Sequence, residues 1–81
     1  MTFEYLVLQV QSARVTFVNG QWIGRVPLEE AIKDTTKGFD GCPQVWEYLQ
    51  SAGHDGWDLI AAHTAGSSGQ EYQLLYMKRE R

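Results

Sequence analysis

The stretch VWEYLQSAGHDGWDLIAA, residues 45–62, decides the fold because its pattern is that of a short amphipathic helix, a tight reversal and an apolar strand. Three apolar residues recur in it at helical spacing: Val45, Leu49 and Ala52. Gly53 is predicted to end the helix, and Gly56 to make a second bend before the strand. A helix of about three turns is marginal alone in water, so its apolar face needs a sheet to pack on.

The segments before the helix have the pattern of strands. FEYLVLQV, residues 3–10, is apolar along its length and rich in β-formers, as expected of a strand covered on both faces. RVTFV, residues 14–18, and QWIGRV, residues 21–26, flank Asn19-Gly20, which is the strongest short-range hairpin signal in the chain. Alternation places Leu6, Leu8 and Val10 on one side of the first strand, and Phe3, Tyr5, Val7 and Gln9 on the other.

The remaining segments complete the outline. LEEAIKD, residues 28–34, predicts one or two helical turns, and residues 34–42 have turn chemistry without periodicity and predict a loop. WDLIAAHT, residues 57–64, and EYQLLYMKR, residues 71–79, predict two further strands. We therefore expect an α+β fold with a small antiparallel β-sheet of about five strands. One main helix, plus a possible short helix, packs on one face, and residues 1–81 form a single domain.

Composition limits the classes of protein that the chain can belong to. The 43% hydrophobic content supports a packed core, and the net charge of −3 argues against general nucleic-acid binding. No apolar run is long enough to cross a bilayer, so no membrane partner is expected. The lone Cys42 cannot form an internal disulfide, and the chain does not begin with a charged-then-apolar leader. These features predict a cytoplasmic location.

Strands that are apolar on both sides predict association. One helix covers one face of the sheet only, which leaves a second face that carries Tyr5, Val7, Leu74 and Tyr76. We expect this face to be buried against another copy, most simply in a two-fold homodimer, or in a higher symmetric oligomer. If the two faces are inverted, the aliphatic side forms the interface instead.

The titratable residues form no catalytic or metal-binding motif. His54 and His63 have no Cys, Asp or Glu at metal-ligand spacing, and no sequence feature places a base beside Cys42. We therefore predict no catalytic residues, no metal and no cofactor.

One set of residues suggests a ligand site. Arg14 and Arg25 are expected near the open ends of the hairpin strands, with Trp22 as an aromatic plate. Polar residues late in the chain would complete the set: Gln70, Lys78 and Arg79. Arginine beside an aromatic ring is typical of sites for a nucleotide or another small anion, here at a subunit boundary. The alternative is that these residues are surface charges and a core tryptophan.

A resemblance rests on residues at both ends of the chain and in its middle: Phe3-Glu4-Tyr5, Leu49, Gly53, Gly56-Trp57-Asp58-Leu59-Ile60 and Lys78-Arg79. In these pieces the chain resembles a domain-of-unknown-function family of short bacterial and phage proteins, which have a helix before a Gly-Trp-Glu-Leu-Val-like strand and a last strand that ends in Lys-Arg. The chain departs from that pattern in Asp58, where glutamate is usual, and in an insertion over residues 15–43. The resemblance implies a sheet with one helix, frequent association and no established activity.

Together these features favour a non-enzymatic, small oligomeric binding or interaction module that holds a small anionic ligand such as a nucleotide at a subunit interface. A phage-type sequestering protein is one example. The alternatives are a structural partner of a larger assembly and a small enzyme that uses Cys42 or His63.

Overall fold

The structure is a computed structural model that describes residues 2–81, and within them the chain forms an α+β fold. The strands are β1 Phe3–Gln11, β2 Arg14–Val18, β3 Gln21–Trp22, β4 Asp58–Ala65 and β5 Tyr72–Glu80, and the helices are α1 Leu28–Lys33, α2 Thr35–Asp40 and α3 Val45–His54. The sheet is antiparallel, in the order β3-β2-β1-β5-β4. The predicted fold class is confirmed. No helix in residues 2–81 has the length and apolar character needed to cross a bilayer.

The predicted hairpin joins β2 to β3. Asn19 and Gly20 both have positive φ, 51° and 82°, as a tight two-residue hairpin turn requires. The Asn19 side chain also accepts a hydrogen bond from the N–H of Val7 at 2.8 Å, which fastens the turn to β1.

Strand β3 is shorter than the predicted segment 21–26, because it ends at Trp22. The outer edge of β2 is already occupied beyond that point. There the N–H of Val15 donates to the carbonyl oxygen of Pro43 at 2.9 Å, and the N–H of Val45 donates to that of Ala13 at 2.9 Å. Residues 43–45 thus take the place along β2 that a longer β3 would have used.

The loop predicted for residues 34–42 contains a helix, α2, which corrects the sequence interpretation. Asp34 caps it, since its side chain accepts a hydrogen bond from the N–H of Lys37 at 3.2 Å. With α1 before it, the described part of the chain has two short helices where one was predicted.

Helix α3 covers the aliphatic face of the sheet. The buried core cluster consists of Leu8, Val10, Val15, Ala52, Leu75 and Met77, with Val45 and Leu49 of α3 packed against it. The predicted alternation along β1 is therefore confirmed. The helix continues through Gly53 to His54, so the prediction that Gly53 ends it is wrong; Gly56, with φ of 91°, makes the reversal. Trp57 then packs against the core.

Strand β4 lies at the edge of the sheet and outside this core. Every residue from Asp58 to Thr64 is exposed. A register shift at Ile60 places Leu59 opposite Met77 but Ala61 opposite Tyr76, on the other face. Simple strand alternation would put Leu59 and Ala61 on one side of the sheet, and the bulge places them on opposite sides.

Candidate functional site

Two of the residues predicted to bind a ligand, Arg14 and Arg25, line one cavity of about 350 Å³. Arg14 begins β2, and Arg25 follows β3, where the chain has left the sheet. The Nη1 of Arg14 donates to the carbonyl oxygen of Cys42 at 3.0 Å, and the backbone N–H of Arg25 donates to that of Gly41 at 3.1 Å. These bonds fix the backbone wall of the cavity, which we call the arginine cleft.

The arginine cleft also contains two carboxylates. Asp40, the last residue of α2, and Glu47, in the first turn of α3, line it together with the two arginines. Within residues 2–81, neither carboxylate forms an ion pair with Arg14 or Arg25. Opposite charges therefore line the same cleft without a direct ion pair between them.

Cys42 lies in the wall of the arginine cleft and is buried. Burial raises the pKa of its thiol, and the positive charge of Arg14 offsets this only in part. The Sγ contacts the carbonyl oxygen of Gly38 at 3.5 Å. A protonated, buried thiol is a poor nucleophile.

His63 lies far from Cys42 in the sheet order. It belongs to β4, whereas residues 42–45 run beside β2, so β1 and β5 separate the two. The His63 ring is stacked on Tyr76, with ring centroids 5.6 Å apart. The structure does not bring Cys42 and His63 together in one cleft.

Trp22 lies in a different cavity, of about 330 Å³, between the sheet and the helices α1 and α2. Its Nε1 donates to the carbonyl oxygen of Val26 at 2.7 Å, and its ring meets Phe17 edge-on, with centroids 5.5 Å apart. The cavity wall is mostly apolar, and Phe39 of α2 contributes to it.

Gln70 lies in a third cavity, of about 500 Å³, which has a polar wall that includes Gln9. This cavity shares Gln11, Thr35 and Phe39 with the Trp22 cavity. The two cavities are therefore adjacent, and we call them together the glutamine cleft. The structure thus places Trp22 and Gln70 in neighbouring cavities, apart from the arginine pair.

Lys78 and Arg79 lie in neither cleft. The Nζ of Lys78 sits 4.7 Å from the centre of the Phe3 ring, and the guanidinium of Arg79 sits 4.5 Å from the centre of the Trp57 ring. Arg79 also pairs with Glu4 at 3.1 Å. In the single chain, the six predicted residues are thus distributed over the two clefts and two separate cation–π contacts.

Sequence reasoning did not identify several cleft residues. Asp40 and Glu47 join the arginine cleft only because the helices bring them there. Gln9 and Gln11 carried a usable signal, because they are polar residues that alternate along an otherwise apolar strand and so share one face. Their partner Thr16, which is 0% exposed, gave no such signal within its short strand.

Comparison with known proteins adds no relative from which a role could be transferred. No protein-family model, no curated protein and no solved structure matches the chain. The resemblance to a domain-of-unknown-function family stays a prediction from the quoted residues.

Proposed function

We propose that the chain is a small, non-enzymatic oligomeric binding module that holds a small anionic ligand, a nucleotide in its most specific form, in the arginine cleft. The observation that carries the proposal is the convergence of Arg14 and Arg25 on one cavity of about 350 Å³. Guanidinium groups match phosphate geometry, and a cavity of this size lies within the range of small-molecule sites, about 300–1,000 Å³.

The two carboxylates narrow the ligand class. A simple inorganic anion gains nothing from Asp40 and Glu47 and is repelled by them. A nucleotide has phosphate oxygens that accept from arginine, and hydroxyl and amino groups that donate to carboxylates. The mixed lining therefore favours a nucleotide over free phosphate.

Association of the chain with itself is the second part of the proposal. Tyr5 is 59% exposed on the aromatic sheet face, and Leu59 and Ile60 are 50% and 48% exposed on β4. An apolar edge strand with unpaired backbone groups is a template for pairing, and a two-fold axis lets an antiparallel strand pair with its own copy. Such a module would sequester its ligand, as a phage-type sequestering protein does, without converting it.

Isothermal titration of the purified protein with adenosine monophosphate, and separately with inorganic phosphate, tests the ligand site. We expect the nucleotide to bind more tightly than phosphate. Arg25→Gln should weaken nucleotide binding by about tenfold or more, since a hydrogen bond to a charged group contributes about 1.5–3 kcal/mol. Arg25 is the better position to change, because the structural bond that it forms uses its backbone N–H.

The matched control is Lys33→Gln, which removes one positive charge from an exposed position at the end of α1. It should leave the affinity unchanged. Equal affinity of Arg25→Gln and the parent protein would show that the arginine cleft is not the site.

Native mass spectrometry of protein purified gently from its producing cells tests the association and reports any retained ligand by its mass. A symmetric multimer with added mass supports the whole proposal. A multimer without added mass favours the alternative of a structural partner of a larger assembly, for which the exposed β4 edge is the supporting observation. A clean monomer contradicts the oligomeric part.

A further inference from the structure

The glutamine cleft has properties that differ from those of the arginine cleft. Its apolar end is formed by strand residues Phe17 and Trp22 and by the short helices, and its polar end reaches the turn before β5, where Gln70 lies. Gln11 lies where the two ends meet, because it lines both cavities. A molecule that spans the two cavities at Gln11 would contact an aromatic wall and a hydrogen-bonding wall at the same time.

The aromatic wall is held in place before any ligand arrives. The Trp22 ring is anchored by its bond to the carbonyl oxygen of Val26, and Phe17 packs against it at an interplanar angle of 66°. Phe17 and Trp22 are also direct partners in the β2–β3 pairing. A preformed aromatic surface binds flat rings well, because little side-chain entropy is lost when they bind.

The polar wall carries an oriented donor and an oriented acceptor. The hydroxyl of Thr16, which is fully buried, donates to the Oε1 of Gln11 at 2.7 Å, and the Nε2 of Gln9 donates to the same oxygen at 3.3 Å. Among the described residues, no hydrogen bond uses the Nε2 of Gln11 or the Oε1 of Gln9. The N–H₂ group of Gln11 and the side-chain carbonyl oxygen of Gln9, two residues apart on one face of β1, therefore remain available to a ligand.

The charge of the cleft excludes one class of ligand. Among residues 2–81, no lysine or arginine lines either cavity, and Glu71 is the single carboxylate in the wall of the cleft. An anion would meet no positive partner there and would lose its hydration. The cleft therefore suits a molecule without negative charge.

We propose that the glutamine cleft binds an uncharged planar heteroaromatic molecule that carries a hydrogen-bond donor and acceptor side by side on one edge. The ring lies against Phe17 and Trp22, and its polar edge pairs with Gln9 and Gln11. Carboxamides of nitrogen heterocycles and free nucleobases have this chemistry. The site is independent of the arginine cleft, in its residues and in the charge of its ligand.

Nicotinamide and nicotinate make a matched pair of probes, because they share ring and shape while nicotinate carries a carboxylate. We would titrate each into ¹⁵N-labelled protein and follow the side-chain N–H signals of Gln9, Gln11 and Trp22. Nicotinamide should shift these signals saturably at millimolar concentration, and nicotinate should bind at least tenfold more weakly. Absence of a saturable shift with nicotinamide, or equal binding of nicotinate, overturns the proposal.

Substitutions locate the effect. Gln11→Glu keeps an oxygen that accepts from Thr16 and Gln9, so it preserves the fold, but it replaces the donor N–H₂ and should weaken nicotinamide binding at least tenfold. Gln50→Glu makes the same change on the exposed side of α3 and should leave binding unchanged. Unchanged binding by Gln11→Glu would overturn the proposal.

Arg25→Gln separates this proposal from the proposed function. It should weaken nucleotide binding in the arginine cleft by about tenfold or more and leave the nicotinamide titration unaltered. If Arg25→Gln weakens nicotinamide binding as much as it weakens nucleotide binding, the two sites are one and the independent cleft is contradicted.

Discussion

Strands β1 and β4 both pair antiparallel with β5, yet their surroundings differ. On β1, Leu8 is 0% exposed and Val10 is 4% exposed, whereas on β4 Leu59 and Ile60 are about half exposed. On the side that faces β5, the backbone N–H and C=O groups of both strands take part in the pairing with β5. The difference comes from α3, which packs on a core cluster that no residue of β4 joins.

The comparison separates two contributions to stability. Hydrogen-bonded pairing contributes modestly per bond, because water offers the unfolded chain the same partners. Burial of a leucine side chain adds about 1.5–3 kcal/mol. Strand β1 has both contributions within one chain. Strand β4 is stabilised by hydrogen-bonded pairing with β5. Burial of its side chains would add to this only if another molecule covered the strand.

The largest expected effect comes from truncating leucine on the two strands. Leu8→Ala should lower the free energy of unfolding by about 2–5 kcal/mol, because it leaves a cavity in a closed core. Leu59→Ala should lower it by about 1 kcal/mol or less, because half of that side chain already contacts solvent. Urea denaturation of each variant and of the parent protein, at one low protein concentration, measures both. Equal losses would show that β4 is as well covered as β1.

The sequence was sufficient to predict the α3-covered part of the sheet. The alternation on β1, the Asn19-Gly20 turn and the amphipathic residues of α3 each have a local physical cause, so local patterns identify them. The sequence could not reveal that β4 lies outside the core. That property follows from the strand order and from the reach of a ten-residue helix, which are not local.

The candidate site was less predictable for the same reason. Arg14 and Arg25 line one cavity, but the predicted reason, two paired hairpin strands, accounts for Arg14 alone. Arg25 lies beyond β3, and the hydrogen bond from its backbone N–H to Gly41 holds it there. Trp22 lines a different cavity from the two arginines, and Lys78 and Arg79 are held against aromatic rings, because pairing register and packing decide these positions. The residue types alone reveal neither the pairing register nor the packing.

An intermediate effect is expected from placing a charge on the uncovered strand. Ile60→Lys should weaken self-association at least about tenfold, since an interface that closes over β4 would bury an unpaired ammonium group. It should change the monomer's free energy of unfolding by no more than about 0.5 kcal/mol, because the side chain is exposed there. Sedimentation velocity over a concentration series measures the dissociation constant.

The control for this substitution is Gln50→Lys, which adds the same charge on the exposed side of α3. It should leave association unchanged. An unaltered dissociation constant for Ile60→Lys would show that β4 is not part of the proposed interface and would leave the aromatic face with Tyr5 as the candidate surface for the proposed association.

The smallest effect concerns the charged end of the well-covered pair, β1 and β5, where Glu4 pairs with Arg79 and Arg81 at 3.1 Å each. Desolvation acts to raise the pKa of Glu4, but hydrogen bonds and charges from the two arginines outweigh it and hold the pKa below its ordinary value of 4.5. Because folding lowers this pKa, the pair stabilises the protein above about pH 4.5 and loses that contribution as the pH falls through the folded value. Glu4→Gln should therefore lower the urea midpoint slightly at neutral pH and not at acid pH, and added salt should shrink the difference, since both partners are partly exposed. If the difference in urea midpoint between Glu4→Gln and the parent protein stayed the same at acid pH, Glu4 would act through packing rather than charge. The ion pairs would then not stabilise this end of β1 and β5.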